Sequence, residues 1–240
     1  GGKGANQAYA VGRMGGHVSM IGQVGSDGLA SFLLESLQAA GVNTELVGVS
    51  DRSTGAAVIL VLPDGENLIV ISPGANASMT PELATEKLNI LKKGSCLLAQ
   101  LEIPIESVEA SLAVAKARGA TTILDPAPAR PLTSELLCQV DFLTPNETET
   151  MTLLGESDLS MDYETESALT ARRLLALGPK AVVLKLGSRG CVIATPEERH
   201  KVPGFKVKAV DTTAAGDVFN GAFATSLAEG NTASQAARFA

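Results

Sequence analysis

The sequence predicts an α/β fold, a three-layer α/β/α sandwich with a mostly parallel sheet and a small β lid. From residue 81 onward, short apolar runs typical of strands alternate with longer helical stretches, the pattern of a parallel sheet covered on both faces. A hydrophobic fraction of 45 % over 240 residues supplies a large core. Because the chain contains no internal repeat and no linker, we expect a single domain over residues 1–240.

The first part of the chain predicts a helix, a strand and a second helix, in that order. Residues 4–14 predict a helix that ends at a glycine pair, and residues 17–24 predict a strand. The second helix is expected over residues 29–40, because its apolar side chains recur on one stripe and Gly41 follows at the C-cap position.

Three short β-type runs then interrupt the helical pattern, at residues 44–50, 55–62 and 67–72. The turn signal Pro63-Asp64-Gly65-Glu66 joins the last two runs and predicts a hairpin. We expect residues 44–72 to contribute a small β lid over the carboxyl edge of the sheet.

Regular alternation of strands and helices follows the hairpin. The predicted strands are residues 96–101, 121–124, 140–143, 181–186, 191–194 and 207–210. The predicted helices are residues 105–118, 147–154, 165–177 and 218–227. Ligands bind beyond the carboxyl ends of the strands in such a sheet, so the polar segments there are candidates for a site. These segments begin at Glu102, Asp125, Asn146, Gly187 and Asp211.

The composition excludes several classes of partner. The chain carries 26 acidic and 19 basic residues, a net charge of −7, so neither nucleic acid nor a membrane surface is an expected partner. The longest apolar run is far shorter than the roughly 20 residues of a membrane span. Three cysteines without paired spacing favour reduced thiols over a disulfide framework or a zinc site. We expect a cytoplasmic protein.

The segment 211–217, with the sequence DTTAAGD, is the most informative stretch of the chain. Its small residues precede an apolar helix, and a helix N-terminus with exposed N–H groups suits a transferring phosphoryl group. Asp217 beside those amides could accept a proton from an attacking hydroxyl. Alternatively, acidic and small residues simply favour the first turn of a helix, and the spacing alone leaves both interpretations open.

Two further segments have both a structural and a chemical interpretation. Asn146 and Glu149 fit a capping box at a helix start, and Glu149 could also hold Mg²⁺ through water. Residues 187–190 could approach a nucleotide or form an ordinary turn, and Lys185 could be a snorkelling edge-strand lysine. The sequence contains neither a Walker A loop nor a G-x-G-x-x-G after a strand, which argues against those nucleotide-binding folds.

Taken together, the motifs resemble the ribokinase family of sugar kinases, within the phosphofructokinase-B superfamily. The family's G-G-K-G-A-N segment stands at residues 1–6, and its D-T-x-G-A-G-D segment stands at residues 211–217. T-P-N-E-x-E and L-G-x-x-G lie between them in family order. The resemblance covers essentially the whole chain. It implies a ribokinase-like fold and ATP-dependent phosphorylation of a sugar, with the 5-hydroxyl of D-ribose as the expected acceptor.

The resemblance implies a role for each matching residue. Asp217 would be the catalytic base and would also contact the sugar. The other residues implied to bind the sugar are Gly2, Lys3, Gly4, Ala5, Asn6 and Glu102. The anion hole at the γ-phosphate would consist of Ala214, Ala215 and Gly216. The residues implied to line the nucleotide site are Asn146, Lys185, Leu186, Gly187, Ser188, Arg189, Gly190 and Gly216.

The resemblance also implies two metal ions and a second copy of the chain. Mg²⁺ would accompany ATP and interact with Glu149 through water, whereas K⁺ would activate the enzyme at Asp211 and the Thr213 carbonyl. The hairpin of the lid would form the contact of a homodimer. Family segments before residue 1 and after residue 240 would be missing from this chain.

The sequence departs from the family pattern at two positions of the site. Ala214 replaces a glycine of the signature, and Lys185 stands where threonine or serine is common. Two alternatives to a ribose kinase therefore stay open. One is a sister kinase that acts on deoxyribose, another sugar or a nucleoside, and the other is a protein that binds nucleotide or sugar without turnover.

Overall fold

Strands and helices alternate along most of the chain, as the sequence predicts. The structure, a computed structural model, describes residues 2–61, 67–157 and 166–240. The strands in these ranges are β1 (Gly22–Val24), β2 (Val47–Val49), β3 (Ala56–Val61), β4 (Asn67–Ser72), β5 (Cys96–Ala99), β6 (Thr121–Leu124), β7 (Phe142–Leu143), β8 (Ala181–Lys185), β9 (Cys191–Ala194) and β10 (Arg199–Val202). The α-helices are α1 (Lys3–Arg13), α2 (Gly28–Ala39), α3 (Pro81–Glu86), α4 (Ile105–Ala117), α5 (Ser134–Leu137), α6 (Glu147–Leu154), α7 (Glu166–Leu175), α8 (Ala215–Ala228) and α9 (Ala233–Phe239).

The central sheet has six strands in the order β10-β9-β8-β7-β6-β5. Strands β5 to β8 run parallel to one another, whereas β9 and β10 each run antiparallel to their neighbours. The spatial order follows the chain order, so each crossover places the next strand beside the previous one. The carboxyl ends of the four parallel strands therefore meet at one edge, where the sequence predicts the site.

Helices pack on both faces of this sheet, which confirms the predicted three layers. Side chains alternate between the faces along each strand: Ile123 and Val183 belong to one buried cluster, and Leu124 belongs to the other. The first cluster includes Phe223 of α8 and residues of α9. The second cluster includes Leu112 of α4 and residues of α5 and α7.

Helices α1 and α8 cross closely, although they come from opposite ends of the chain. Gly221 allows this approach: a Cβ at that position would lie 2.9 Å from the Gln7 carbonyl oxygen and 2.9 Å from the Ala10 Cβ. Only a glycine fits there without displacing a neighbour. The contact brings the start of α1 against the start of α8, which is where the predicted sugar segment and the predicted base lie.

The predicted hairpin is present as β3 and β4, which pair antiparallel from Ala56 opposite Ser72 to Val61 opposite Asn67. Its predicted turn at residues 63–66 lies outside the described residues. The hairpin forms a two-stranded sheet of its own. The earlier part of the predicted lid does not join it, because β2 pairs in parallel with β1 instead.

Some predicted boundaries differ from the structure. Residues 207–210 are not a strand, because they pair with no other strand of the described chain and their side chains face solvent, with Val207 78 % and Val210 96 % exposed. The edge position belongs instead to β10, whose exposed basic residues carry a weak strand signal. The predicted strand 17–24 is reduced to β1 and one isolated bridge at Ser19. The predicted start of α7 at residue 165 lies outside the described residues.

Candidate active site

The first turn of α1 lies against two carboxylates from distant parts of the chain. Gly2 has a φ of 92°, a left-handed conformation that favours glycine, and it precedes the helix as its N-cap. The Lys3 backbone N–H donates to Glu102 Oε2 at 2.6 Å, and Asn6 Nδ2 donates to Asp217 Oδ2 at 2.8 Å. The sugar segment and the base implied by the resemblance are thus in direct contact.

Buried amide and carboxylate groups continue this contact inward. Gln7 Nε2 donates to Asp125 Oδ2 at 2.9 Å and to Asp217 Oδ1 at 3.1 Å. Gln7 Oε1 accepts a hydrogen bond from Gln100 Nε2. Asp125 and Asp217 are 2 % and 5 % exposed, so both carboxylates depend on protein donors rather than on solvent.

Lys185, the last residue of β8, forms a buried ion pair with Asp125. The Lys185 Nζ lies 3.0 Å from Asp125 Oδ1, and the two side chains are 12 % and 3 % exposed. Lys185 also lies beside the start of α8, because a Cβ placed on Gly216 would be 3.6 Å from its Nζ. The lysine is therefore not a snorkelling surface side chain, and its ammonium faces the predicted anion hole.

The N-terminus of α8 has no side-chain cap. The Ala215 N–H donates to the Thr212 carbonyl at 3.1 Å, and the N–H of the next residue, Gly216, keeps its capacity to bind an anion. Ala214, the N-cap residue, adopts φ 60° and ψ 11°, the left-handed conformation. A non-glycine residue pays about 1–2 kcal/mol in that region, which explains why the family signature has glycine here. Asp217 lies in the first turn of the same 14-residue helix.

Asn146 and Glu149 form the capping box of α6. The Asn146 side chain accepts from the Glu149 backbone N–H at 2.8 Å, and Glu149 Oε2 accepts from the Asn146 backbone N–H at 2.7 Å. Burial raises the pKa of Glu149, and the nearby Lys185 partly opposes this effect. Asn146 itself is exposed, so its amide Nδ2 is available to a ligand. The capping interpretation is thus correct, and a role in phosphate or magnesium binding is compatible with it.

A short 3₁₀ turn, Gly187–Arg189, connects β8 to β9, and Gly190 caps it. The exposed Arg189 guanidinium forms an ion pair with Glu147 at the start of α6. A Cβ on Gly204 would lie 3.0 Å from the Gly190 backbone nitrogen, so the chain after β10 packs directly on this turn. The turn lies at the carboxyl end of β8, next to Lys185, although the order of β8 and β9 is also that of an ordinary hairpin.

Asp211 and Thr213 lie on the exposed loop that leads to α8. Asp211 Oδ1 accepts from the Thr213 backbone N–H at 2.8 Å, and this hydrogen bond lowers the pKa of Asp211. This is a side-chain-capped turn, the local alternative for aspartate in such a loop. Within residues 2–61, 67–157 and 166–240, no three His, Cys, Asp or Glu side chains converge as a metal cluster.

The side chains of Ala5 and Leu186, two residues implied to bind ligands, pack against apolar clusters. The Ala5 methyl packs against the cluster of α1 and α2, so Ala5 has only its backbone to offer a sugar. Leu186 is buried in the sheet core and has the same restriction.

Sequence reasoning placed Asp125 at the correct edge without assigning it a role, and it missed Gln7 and Gln100. Their only signal is polarity at positions that the fold buries.

At this edge of the sheet a buried carboxylate, the N-terminus of a helix and the first turn of α1 lie side by side. Asp217 is buried beside Asn6 in the first turn of α8, and the Lys185 ammonium lies close to Gly216 in the same turn. A hydroxyl held by the first turn of α1 could lose its proton to Asp217 while a phosphoryl group is held by the start of α8.

The sequence pattern of the pfkB family carbohydrate kinases matches residues 1–240. The chain belongs to the pfkB family of carbohydrate kinases. This confirms the resemblance predicted from the motifs. Members of such a family are phosphotransferases with an alcohol group as acceptor, and the arrangement of this pfkB site is suited to that reaction.

Relatives of this pfkB kinase agree with the assignment. A ribokinase of Staphylococcus aureus (strain COL) is 40 % identical over 228 residues, which cover 95 % of this chain and 74 % of the relative. A deoxyribokinase of Salmonella typhi is 37 % identical over 226 residues, covering 93 % and 73 %. The structure of an Arabidopsis thaliana ribokinase complexed with ribose and ATP superimposes with a TM-score of 0.87 at 31 % identity, covering 99 % and 78 %. The similarity confirms the ribokinase-like fold.

No helix in the described part of the chain is long and apolar enough to span a membrane.

Proposed function

We propose that this protein is an ATP-dependent ribokinase that phosphorylates the 5-hydroxyl of D-ribose to give D-ribose 5-phosphate. The observation that carries the proposal is the contact of Asn6 with Asp217, which joins the sugar segment to the base at the N-terminus of α8. Ribokinases of about 40 % identity support D-ribose as the substrate.

Each group of site residues has its own role in the proposed reaction. Asp217 takes the proton of the 5-hydroxyl, and the resulting oxygen forms a bond to the γ-phosphorus as the bond to the ADP oxygen breaks. Gly2, Lys3, Gly4, Asn6 and Glu102 orient the sugar, with Ala5 contributing its backbone. Ala214, Ala215 and Gly216 stabilise the charge on the transferring group. The nucleotide is held by Asn146, Lys185, Leu186 and the turn of Gly187, Ser188, Arg189 and Gly190.

Two cations complete the proposed enzyme. Mg²⁺ neutralises charge on the phosphates when it is bound with ATP, and Glu149 fits an interaction through water, since Mg²⁺ keeps most of its hydration and takes few carboxylates. K⁺ would be held by Asp211 and the Thr213 carbonyl, an exposed oxygen donor set on the loop that leads to the anion hole. Its effect would be to fix the conformation of that loop.

The proposed partner copy and compartment follow from the surface and the chemistry. Val58, Val70 and Ile71 of the β3–β4 hairpin are each more than half exposed, which supports a homodimer through the lid. The proposed compartment is the cytoplasm, where ATP is available and where cysteines without paired spacing stay reduced.

A deoxyribokinase is the second candidate, supported by the relative of 37 % identity. The two functions differ in the group at carbon 2 of the sugar. Initial rates with ribose and with 2-deoxyribose at equal concentration separate them, because a site built to hydrogen-bond a hydroxyl loses much of kcat/KM when that hydroxyl is missing.

The decisive experiment replaces the base. In a coupled assay with D-ribose, Mg²⁺ and ATP, Asp217→Asn should lower kcat by about 10²–10⁴ while ATP binding, measured by calorimetry, is retained. Glu109→Gln, at an exposed position on α4 and outside the residues assigned to the site or the lid, serves as the control and should retain full activity. A variant Asp217→Asn with more than half of the wild-type kcat would refute the assignment of the base.

A further inference from the structure

Gln7 is a buried side chain with contacts that the mechanism above does not use. Only 1 % of the residue is exposed, and it lies on α1 directly after Asn6. An amide NH₂ group has two hydrogens, and Gln7 gives one to Asp125 Oδ2 and the other to Asp217 Oδ1. Its oxygen accepts from Gln100 Nε2. Both N–H groups of the Gln7 amide and its oxygen therefore have partners.

The two carboxylates determine which way the Gln7 amide points, and the hydrogen bond from Gln100 agrees with that orientation. A glutamine with its oxygen and nitrogen exchanged would present its oxygen to two carboxylates, and it would turn its NH₂ group toward the Gln100 donor. That arrangement would place three acceptors together and two donors together in a buried space, which is unfavourable. The orientation with Nε2 toward both carboxylates is thus fixed by chemistry as well as by packing.

The two carboxylates need such a donor, because the network is rich in acidic groups. The charged groups around it are Asp125 after β6, Lys185 on β8, Glu149 on α6, Glu102 after β5, Lys3 on α1 and Asp217 itself. Lys185 neutralises Asp125 directly. Asp217 has no ion-pair partner within 4 Å among the described residues, and its two oxygens accept hydrogen bonds from the side-chain amides of Asn6 and Gln7.

The two oxygens of Asp217 have different neighbours. Oδ1 faces inward and accepts from the buried Gln7, whereas Oδ2 accepts from Asn6 in the half-buried sugar segment. A sugar hydroxyl that binds at the first turn of α1 reaches the side of the carboxylate on which Asn6 lies. Oδ1 is already occupied by a donor that no sugar displaces.

We propose that Gln7 is a positioning residue for the base: it holds Asp217 Oδ1 between α1 and the Asp125–Lys185 pair, so that Oδ2 takes the proton from the sugar hydroxyl. The inference rests on the proposed kinase function. In the step it serves, the hydroxyl proton moves to Oδ2, the sugar oxygen bonds to the γ-phosphorus, and the bond between that phosphorus and the ADP oxygen breaks. Gln7 itself exchanges no proton.

The test replaces Gln7 by Met and by Glu and measures kcat, KM and the pH dependence of kcat. Gln7→Met keeps the length of the side chain but donates no hydrogen bond. We expect kcat to fall about 10–100-fold, because a loosely held base loses its alignment with the hydroxyl. The KM for ATP should stay within twofold. The acidic limb of the kcat profile should move to higher pH, because a carboxylate that loses a donor is harder to ionise.

Gln7→Glu should move the acidic limb further in the same direction, since it adds a carboxylate where a donor stood. Gln38→Met, on the exposed side of α2, is the matched control and should change neither kcat nor the limb. A fall in kcat without any movement of the limb in Gln7→Met and Gln7→Glu would mean that Gln7 has a structural role only, and it would overturn the proposal. An unchanged kcat would overturn it as well.

Folding is checked by thermal unfolding of each variant. If Gln7→Met does not fold, Gln7→Asn keeps the amide but shortens its reach by one methylene, and the same two criteria on kcat and on the limb decide. Failure of the proposed function is separate: the wild-type protein would then phosphorylate neither ribose nor 2-deoxyribose. If it phosphorylates only the second sugar, the Gln7 criteria apply unchanged with that sugar.

Discussion

Removing Lys185 tests whether the buried ion pair with Asp125 supports the fold as well as the site. Lys185→Met keeps an unbranched side chain of similar length but leaves the Asp125 carboxylate, only 3 % exposed, without its cation. At 3.0 Å, two unit charges attract each other by about 5 kcal/mol at an effective dielectric constant of about 20. Desolvation offsets part of that attraction in the intact pair, but a lone buried charge keeps the full penalty.

We therefore expect Lys185→Met to lower the free energy of unfolding by about 3–5 kcal/mol. For a domain of this size that is a drop in Tm of roughly 6–20 °C. Urea unfolding at pH 7, followed by circular dichroism, measures the loss. The double variant Lys185→Met with Asp125→Asn removes both charges and keeps an acceptor for Gln7, so most of the loss should be recovered.

The control is the surface ion pair of Arg173 with Glu156, whose side chains are 41 % and 32 % exposed. Glu156→Gln should leave the free energy of unfolding nearly unchanged, because solvent screens the pair. Should Lys185→Met cost no more than Glu156→Gln, or should the double variant be no more stable than Lys185→Met, the reasoning about the buried pair would be wrong.

Three further predictions concern the sugar, the cation and the thiols. Asn6→Ala should raise the KM for ribose about tenfold or more and leave the KM for ATP nearly unchanged; a change in the ATP value alone would contradict the placement of Asn6. K⁺ should raise kcat or lower KM beyond the effect of a bulky organic cation at equal ionic strength, and Asp211→Ala should abolish that response; equal rates in both salts would exclude the cation site. Burial raises the pKa of Cys96 to about 11 and of Cys191 to about 12, so at pH 8 a thiol reagent should modify only the exposed Cys138 until guanidinium unfolds the protein. Rapid modification of all three in the native state would contradict this.

The sequence allows the fold to be predicted where apolar runs are flanked by clear turn or cap signals. Residues 121–124, 147–154 and 191–194 coincide with β6, α6 and β9. The prediction fails where a segment becomes a strand only because another strand lies beside it. Residues 207–210 are rich in valine but have no strand beside them, whereas the polar β10 becomes a strand because β9 offers it an edge.

The site shows the same division between local and long-range information. The capping box of α6 and the small residues before α8 are readable from their spacing. The partners of Gln7 are not, because its two carboxylates are 118 and 210 residues away in sequence. The burial of Lys185 could not be predicted for the same reason. A lysine at the end of a strand is expected to be exposed to solvent, and its partner, the buried Asp125, lies 60 residues earlier in the sequence.

The contact between Asn6 and Asp217 also determines when in folding the enzyme becomes competent. The two residues are 211 positions apart, and closing a flexible loop of that length costs roughly 5 kcal/mol of chain entropy. We expect such a contact to form after the local helices and the sheet, because those elements close shorter loops. On a ribosome, the proposed base reaches the site only after residue 217 has emerged and α8 has docked on α1. If Asp217 is the base, a nascent chain would not transfer phosphate before that point, and recovery of kinase activity after denaturation would report the docking of α8 on α1 rather than the formation of secondary structure.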